Sequence, residues 1–507
     1  MKHQFLFLLI VFLACSSEKR QYEPITEDYC ATLPMQSEKE LNQLMDFTKI
    51  DSTKTGVLVL EEGDVSMIFR AWLSEAAQES IDIQYFIFSG DNVGLIAVDY
   101  LLRAAERGVL VRLLVDDIMV EADADELLAI DSHPNIEIKI YNPTANIGKN
   151  LSSKVKSLAT DFRGVNQRMH NKTFTVDGKV IITGGRNIAD EYFDYDHKYN
   201  FRDRDVMLVG ESVVDVTNSF SMFWENDLSV PIAELISLSE AEKNTEVKFA
   251  YLHQYACSPN NFWPEVRKNI EHVPALFKQL HTAGQVAWVE DVSFVSDIPG
   301  KNDGSEGLGG GGASTDALIE LITEAQHSIY IQTPYLVTTE LSQQLFKAAV
   351  DRGVKVKILT NSLMSTDNLE AFSGYKRERE TLLDIGIEIY EFRPDAAIRY
   401  EVMTGALQRK INFTPTFGLH AKSMVVDDEI AIIGTFNLDP RSANLNTECI
   451  AIIRDSTIAT NLSNTMLIEL QPENAWQTTT EFNPDEYASR SKRFQLWLRG
   501  VVPKSIL

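Results

Sequence analysis

The sequence predicts an α/β fold made of two duplicated domains that share one active site. Two observations support this prediction: stretches rich in β-branched residues alternate with helical stretches, and the chain repeats itself. The residues from Ala77 to Gln84 recur from Ala325 to Gln332, and those from Arg107 to Leu114 recur from Arg352 to Leu359. Because the two repeated segments keep almost the same spacing, a duplication explains them. Strands joined by helices are typical of largely buried sheets.

The hydrophobic pattern of the first copy predicts its elements. We expect a strand near Ile81–Phe88, a helix near Val93–Arg107 that ends at Gly108, and a strand near Val111–Val115. The predicted segments are a lipoprotein signal over 1–15, a tether over 16–55, domain 1 over 56–231, a helical insertion over 232–284, domain 2 over 285–470 and a C-terminal membrane-interface segment over 471–507.

Length and composition exclude several classes of protein. The 507 residues, 44% of them hydrophobic, are enough for more than one domain with its own core. The net charge of −26 disfavours a general nucleic-acid binder, since such a surface repels phosphate backbones. Four cysteines in a chain of this length exclude a scaffold built from disulfides.

The N-terminus resembles a bacterial lipoprotein signal. A basic start at Lys2 precedes the apolar stretch Phe5–Ala14, which is too short to cross a bilayer, and Cys15 follows. Cleavage before Cys15 and lipidation of its thiol would anchor the protein to a membrane of the bacterial cell envelope. The alternatives are an uncleaved anchor and a buried N-terminal helix.

Three cysteines remain after this segment. Cys449 lies in an apolar run and is expected to be a buried thiol. Cys30 and Cys257 could form a disulfide in an exported protein, and the alternative is that all three thiols are free.

The strongest functional signal is a motif of the form H-x-K-x-x-x-x-D that occurs once in each copy, followed each time by Gly-x-x-Asn. Histidine and lysine two positions apart emerge on the same face of a strand. Together the two copies predict one pseudo-symmetric anion site. Its candidate residues are His170, Lys172, Asp177 and Asn187 in the first copy, and His420, Lys422, Asp427 and Asn437 in the second.

These residue types suit a phosphodiester substrate. Two lysines and two amides can stabilise the negative charge of the transition state, and paired histidines suit a displacement in two steps. A zinc site is disfavoured because the neighbouring lysines repel a cation and no further ligands complete the set. The motifs require neither a metal nor an organic cofactor.

Both motifs, both Gly-x-x-Asn clusters and the duplication resemble the phospholipase D superfamily from about residue 56 onward. The segments around Asn187 and from Phe436 to Glu448 are similar to bacterial cardiolipin synthases of the C type. The resemblance implies two α/β/α sandwich domains and a phosphatidyltransferase that acts on phosphatidylglycerol, with phosphatidylethanolamine as a candidate second lipid. It implies a membrane partner and no nucleic acid, and it identifies no protein partner.

The resemblance also implies that an acidic residue of each half orients the histidine of the other half. We hypothesise that Glu448 pairs with His170 and Asp205 with His420; the alternative is that both acids cap strands or bind nearby arginines. By analogy with two-motif relatives, His170 is assigned as the nucleophile and His420 as the general acid and base.

Three alternative functions remain at this point: a phospholipase D that transfers the phosphatidyl group to water, a nuclease of the same superfamily, and an inactive membrane-binding scaffold. Two locally basic stretches, over 149–172 and 490–507, are candidate contacts for anionic lipid. The alternative for these stretches is a solvated basic segment and a packed C-terminal element.

Overall fold

The computed structural model describes residues 30, 41–44, 53–117, 124–143, 167–196, 198–236, 245–301, 309–403, 415–500, 502–504 and 507. The predicted signal with Cys15, most of the predicted tether and the greater part of the first basic stretch lie outside these residues. The described residues contain the whole of both motifs.

The strands form two large sheets and one small one. Their bounds are β1 Thr55–Leu60, β2 Ser80–Tyr85, β3 Leu110–Asp116, β4 Ile136–Tyr141, β5 Thr173–Val176, β6 Val180–Gly184, β7 Tyr199–Arg202, β8 Asp205–Gly210, β9 Ser229–Pro231, β10 Val286–Val289, β11 Val292–Ser296, β12 Ser328–Gln332, β13 Lys355–Asn361, β14 Glu388–Phe392, β15 Thr416–Leu419, β16 Ser423–Val426, β17 Ile430–Gly434, β18 Cys449–Arg454 and β19 Ala475–Thr478. The predicted strands of the first copy correspond to β2 and β3.

The two large sheets have the same topology, except that the first has one more strand, β10, at its edge. The first has the order β10-β1-β8-β6-β5-β2-β3-β4-β9 and the second β11-β18-β17-β16-β12-β13-β14-β19. In each, a parallel trio (β2-β3-β4 or β12-β13-β14) continues into an antiparallel trio (β5-β6-β8 or β16-β17-β18). The predicted duplication and the α/β fold class are thus confirmed.

Helices connect the strands and cover both faces of each sheet. Their bounds are α1 Gly63–Ala76, α2 Asn92–Glu106, α3 Ala124–Asp131, α4 Val213–Trp224, α5 Ile232–Leu235, α6 Thr245–Cys257, α7 Pro264–Glu271, α8 Val273–Thr282, α9 Ala313–Glu324, α10 Glu340–Asp351, α11 Leu369–Ile385, α12 Arg399–Val402, α13 Pro440–Asn444, α14 Ser456–Glu469 and α15 Arg490–Arg499. The predicted helix over 93–107 is α2, and Gly108 after it has φ +99°, a conformation that glycine adopts at little cost.

The two domains share one apolar core. On its outer face, each sheet packs against its own helices, α1 and α2 in the first domain and α9 to α11 in the second. The inner faces meet in a common cluster that joins Leu208 of β8 and Val216 of α4 to Ile433 of β17 and Leu462 of α14. Each domain therefore has the expected α/β/α layers, and burial of this apolar cluster fixes the domains together.

Two segments contribute beyond the predicted domain limits. Strand β10, which follows the helical insertion, pairs with β1 at the edge of the first sheet, although it lies within the segment predicted as domain 2. Strand β19 of the predicted C-terminal segment pairs with β14 in the second sheet. The insertion contains helices α5 to α8 and packs on the first domain.

Cys30 and Cys257 form a disulfide with a Cα–Cα distance of 5.2 Å, which joins the predicted tether to α6. Cys449 is a buried free thiol, as its apolar surroundings predict. Among the residues that the structure describes, no helix combines the length and the apolar character that crossing a membrane requires.

Candidate active site

A short bridge between the domains positions His170. Met169 pairs with Thr447 of the other domain, and the His170 amide donates to the Thr447 carbonyl oxygen at 2.9 Å. The next residue after Thr447 is Glu448, whose Oε2 lies 2.8 Å from Nδ1 of His170. The predicted pairing of Glu448 with His170 is present, and it crosses the domain boundary.

The same arrangement recurs around His420. Strand β15 pairs in parallel with β7, and the His420 amide donates to the Arg202 carbonyl oxygen at 2.8 Å. The residue after Arg202 is Asp203, whose Oδ2 lies 2.6 Å from Nδ1 of His420. In both cases the backbone amide of the histidine donates to a carbonyl oxygen of the other domain. The residue that follows this carbonyl in the sequence provides the carboxylate for the histidine.

The prediction that Asp205 orients His420 is therefore wrong. Asp205 instead pairs with Arg70 at 3.0 Å and accepts a hydrogen bond from the hydroxyl group of Ser66 at 2.7 Å. These contacts join α1 to the first sheet, so Asp205 has a structural role.

Sheet register explains the error. Gly184 pairs with Asp205 across β6 and β8, while the equivalent Gly434 pairs with Ile450 across β17 and β18. Asp205 is thus the counterpart of Ile450, and the counterpart of Glu448 lies two residues earlier, at Asp203. The sequence placed Glu448 and Asp205 alike directly before a strand. Strand β18 begins one residue after Glu448, whereas β8 begins two residues after Asp203, so the acid directly before the apolar run of β8 is not the equivalent one.

The two motif lysines are buried beside the histidines. Lys172 Nζ donates to the His170 carbonyl oxygen at 2.8 Å, and Lys422 Nζ donates to the His420 carbonyl oxygen at 2.6 Å. Lys422 Nζ also lies 2.9 Å from Nδ1 and 3.0 Å from Nε2 of His420. Lys422 acts electrostatically on His170, and Lys172 acts on His420, so both motifs form one site.

The two motif asparagines are buried next to the strand ends. Asn187 Oδ1 accepts a hydrogen bond from the Ile87 amide at 3.0 Å. Asn437 Oδ1 is buried and has no hydrogen-bond partner among the described residues. The predicted symmetry of the two amides is thus limited to their positions, since their contacts differ.

The two motif aspartates do not reach the catalytic centre. Asp177 accepts hydrogen bonds from the amides of residues 78–80, and Asp427 from those of residues 326–328. Each follows a strand of four residues that begins just after the motif lysine, and such a strand spans roughly 13 Å. The prediction that they belong to the anion site is therefore wrong: both aspartates organise the turn that leads into the neighbouring strand.

Two hydroxyl groups that sequence reasoning did not assign hold Glu448 in place. Thr435 Oγ1 donates to Oε2 at 2.5 Å, and Ser442 Oγ donates to Oε1 at 2.6 Å. The position equivalent to Thr435 is Gly185, where an added Cβ would lie 2.0 Å from Asp203 Oδ1. Only glycine fits beside Asp203, whereas a hydroxyl fits beside Glu448.

Burial sets the pKa values of the site. It lowers the pKa of His170 to about 4, with Glu448 opposing the change, and that of His420 to about 3, with Lys422 adding to the change. Burial also lowers the pKa of Lys172 to about 7 and that of Lys422 to about 8. Without substrate at neutral pH, both imidazoles are therefore neutral.

The orienting carboxylates are ionised. Burial alone would raise the pKa of each, but His170 holds the pKa of Glu448 below its usual range and His420 does so for Asp203. An ionised carboxylate accepts the Nδ1 proton, which leaves Nε2 of the imidazole as the free nitrogen.

Aromatic rings enclose both histidines. Phe86 meets His170 edge to face at 5.0 Å, and Tyr192 and Phe201 lie 5.1 and 4.7 Å from His420. They fix the imidazole planes and limit access of water, which strengthens the electrostatic interactions inside the site.

Asp99, His253 and Cys257 have ligand atoms within 4.8 Å of one another, but Cys257 is used in the disulfide. Asp99 also binds Arg103 at 3.0 Å. This cluster therefore does not constitute a metal site.

Two histidine–carboxylate pairs that cross between duplicated α/β domains, with two buried lysines between them, define a site of the phospholipase D type. The family model described as "Cardiolipin synthase, PLD-like domain" matches residues 73–224 and 318–467. The chain belongs to this family, and it is accordingly a phospholipid phosphatidyltransferase of the phospholipase D type.

Two relatives and one solved structure are similar to this chain over most of its length. Cardiolipin synthase C of Escherichia coli K12 is 34% identical over 423 residues, which cover 83% of this chain and 86% of that protein. An uncharacterised protein of Helicobacter pylori J99 is 32% identical, over 80% of this chain and 77% of its own length. The phosphatidylserine synthase structure of Haemophilus influenzae Rd KW20 has the same fold, with a TM-score of 0.58 at 16% identity, over 89% of this chain and 95% of that one.

Proposed function

We propose that the protein forms cardiolipin from phosphatidylglycerol and a second phospholipid, through a phosphohistidine on His170. The observation that supports this most directly is the crossed pairing of each histidine with a carboxylate of the other domain. It leaves the Nε2 atoms of His170 and His420 available to one phosphodiester held by Lys172 and Lys422.

In the first step, Nε2 of neutral His170 attacks the phosphorus atom of the donor lipid. The bond from phosphorus to the headgroup oxygen breaks, and protonated His420 gives its proton to that oxygen. Lys172 and Lys422 stabilise the negative charge on the non-bridging oxygens. The products are phosphatidyl-His170 and the free headgroup alcohol.

In the second step, His420 acts as the base and His170 is the leaving group. Nε2 of His420, now neutral, takes the proton of the terminal hydroxyl group of phosphatidylglycerol. The hydroxyl oxygen attacks phosphorus, the bond from phosphorus to Nε2 of His170 breaks, and cardiolipin leaves. His170 is neutral again and His420 is protonated again, so the cycle closes.

In the free site, the pKa of His170 already suits its role as nucleophile. The pKa of His420 suits its role as general acid only after substrate binds. A neutral imidazole is the nucleophilic form, and the low pKa of His170 ensures it. Lys422 lies against the His420 ring and suppresses its protonation. A bound phosphate adds negative charge and attracts Lys422, and both changes raise the pKa of His420 toward the range of a general acid.

A lipid assay tests this proposal and separates it from its alternatives. Purified protein is incubated with phosphatidylglycerol, with and without phosphatidylethanolamine, and the lipids are resolved. Cardiolipin is the expected product, with glycerol released from a phosphatidylglycerol donor or ethanolamine from a phosphatidylethanolamine donor. Phosphatidic acid as the main product would instead identify water as the acceptor, and unchanged lipids would overturn the proposal.

We further propose that lipidated Cys15 anchors the protein to the cell envelope. The basic start, short apolar stretch and cysteine support this, and an anchor would keep the enzyme at its substrate. Growth of the bacterium on a radiolabelled fatty acid should label the protein, whereas a Cys15→Ser variant should stay unlabelled. Equal labelling of both would contradict the anchor.

A further inference from the structure

Helix α15 near the C-terminus presents large apolar side chains to solvent. Phe494 is 59% exposed, Trp497 71% and Leu498 45%, and the rings of Phe494 and Trp497 stack with centroids 5.9 Å apart. Leu496 is buried in the core of the second domain and attaches the helix to it. Other exposed large apolar residues are distributed over several elements, and scattered residues of that kind are ordinary, whereas a stacked group on one helix indicates a partner.

Three of the five basic residues in the C-terminal segment attach it to the protein. Lys492 Nζ donates to the carbonyl oxygens of residues 364 and 366 at 3.1 and 3.2 Å. Arg499 pairs with Glu370 and Lys504 with Glu378, both on α11. These contacts hold α15 in a fixed orientation, so its apolar side chains have a defined direction.

The other two basic residues, Arg490 and Arg493, are exposed on the same helix as the aromatic pair. The segment from 490 to 507 contains no acidic residue, although the whole chain has a net charge of −26. A helix with aromatic rings and free guanidinium groups, in a chain that is otherwise acidic, complements an anionic lipid surface.

Helix α15 borders the loop over 362–368 that lies next to the active site. The carbonyl oxygens at positions 364 and 366 of this loop accept hydrogen bonds from Lys492, and that of Ser365 accepts one from the hydroxyl group of Tyr199 on β7. Asp367 of the same loop accepts from Tyr335 at 2.8 Å. Tyr335 directly precedes Leu336, which bridges to Leu438 beside the site residue Asn437. Asp367 also interacts electrostatically with both Lys422 of the site and Lys492 of α15, so this loop links the helix to the site.

We propose that α15 docks on an anionic bilayer, with Phe494, Trp497 and Leu498 in the interfacial region and Arg490 and Arg493 on lipid phosphates. Docking brings the loop over 362–368, which lies beside the active site, close to the membrane that holds the substrate. The docking itself does not depend on the proposed reaction, whereas its benefit for turnover rests on the proposed function.

The insertion of Trp497 is tested by fluorescence quenching with the full chain on vesicles whose acyl chains are brominated. The protein contains six tryptophans, so the Trp497 signal is the difference between the native protein and a Trp497→Phe variant. We expect phosphatidylglycerol vesicles to quench the native protein more strongly than the variant, and phosphatidylcholine vesicles to give a smaller difference. Equal quenching of both proteins on phosphatidylglycerol would overturn the proposal. This measurement requires no turnover, so it is independent of the proposed reaction.

Activity provides the second test, through a Phe494→Ser/Trp497→Ser double variant. We expect its activity on phosphatidylglycerol vesicles to fall about tenfold or more, since two buried aromatic rings would be lost from the bilayer. Activity on short-chain phosphatidylglycerol below its critical micelle concentration should stay unchanged, because the site is intact. An equal fall on both substrates, or no fall on vesicles, would contradict docking.

A Val214→Ser/Met222→Ser variant is the matched control, because both residues are exposed apolar side chains on α4, at 60% and 48%. It should behave like the native protein on both substrates. The surface would instead belong to a second copy of the chain if the native protein formed a concentration-dependent dimer that the Phe494→Ser/Trp497→Ser variant did not form. If lipid vesicles also failed to quench the fluorescence of Trp497, the proposal would be overturned.

Discussion

The two histidines occupy the same position in two copies of one motif, yet their surroundings differ. The carboxylate of Glu448 accepts from the hydroxyls of Thr435 and Ser442 as well as from His170. Asp203 reaches His420 with a shorter side chain, and its second oxygen accepts from the Arg204 backbone amide at 2.7 Å.

The lysines differ in the same way. Lys422 lies within hydrogen-bond distance of both ring nitrogens of His420, whereas Lys172 binds the His170 backbone. His420 therefore responds to what Lys422 binds, and His170 is less coupled to its own lysine. The difference suits a nucleophile that is always neutral and an acid that becomes competent when a phosphate is bound. Equivalent substitutions in the two halves should therefore change catalysis to different extents.

The largest effect is expected for the histidines themselves. His170→Asn and His420→Asn should each lower kcat by about 10⁴ or more, since each removes a group that acts in both steps. A phosphatidyl ester of p-nitrophenol separates them, because its leaving group needs no proton. His420→Asn should still release p-nitrophenolate in a burst and retain a phosphatidyl adduct on His170, whereas His170→Asn should give neither. An adduct on His420 in the native enzyme would reverse the assignment.

The next largest effects on kcat are expected for variants of the two orienting carboxylates, and the two variants should differ. In Asp203→Asn, the Arg204 amide fixes the amide oxygen at Oδ1 and directs the NH₂ group at Nδ1 of His420, which forces the wrong tautomer. We expect kcat to fall about 10⁴-fold. In Glu448→Gln, the hydroxyl group of Ser442 can rotate to accept from the new NH₂ group, so the oxygen still faces His170 and kcat should fall only about 10²-fold. Steady-state kinetics should show nearly constant KM for both, and equal losses would contradict the difference between the pairs.

Asp205→Asn is the control for these variants. It breaks a buried ion pair with Arg70 and should lower the free energy of unfolding by about 3 kcal/mol. The folded fraction should keep its kcat, because Asp205 contacts neither histidine. Thermal unfolding and kinetics at low temperature distinguish this result from that of Asp203→Asn.

The contrast between Asp203 and Asp205 shows what the sequence could and could not predict. Duplication and periodicity identified both domains, identical spacing identified the histidines and lysines, and the family resemblance indicated Glu448. The partner of His420 depends on where β8 begins relative to β18, and hydrophobic pattern places strand ends only to within a few residues. The roles of Asp177 and Asp427 also required the structure, since a motif shows which residues recur and not which of them face the substrate.

A smaller effect is expected from a substitution of Thr435, whose equivalent in the first domain is Gly185. Thr435→Val removes one of the donors to Glu448 and should lower kcat about tenfold, because the carboxylate loses part of its stabilisation and becomes less well oriented. Gly185→Ala at the equivalent position places a Cβ 2.0 Å from Asp203 Oδ1 and should be more harmful. Kinetics of both variants check this order, and a harmless Gly185→Ala would show that Asp203 can move without consequence.

The mildest test varies the pH of the assay. With the phosphatidyl ester of p-nitrophenol, whose leaving group needs no proton from His420, kcat/KM should rise as pH increases through about 4, because His170 must be neutral to attack. The lysines must be charged to hold phosphate, so kcat/KM should fall as pH increases through about 7 and about 8, where Lys172 and Lys422 lose their protons. In Lys172→Met the activity should be lower, but its alkaline fall should follow Lys422 alone, at the higher of the two values. An alkaline fall that begins only near 10.5, the ordinary pKa of lysine, would show that burial does not discharge these lysines in the free enzyme.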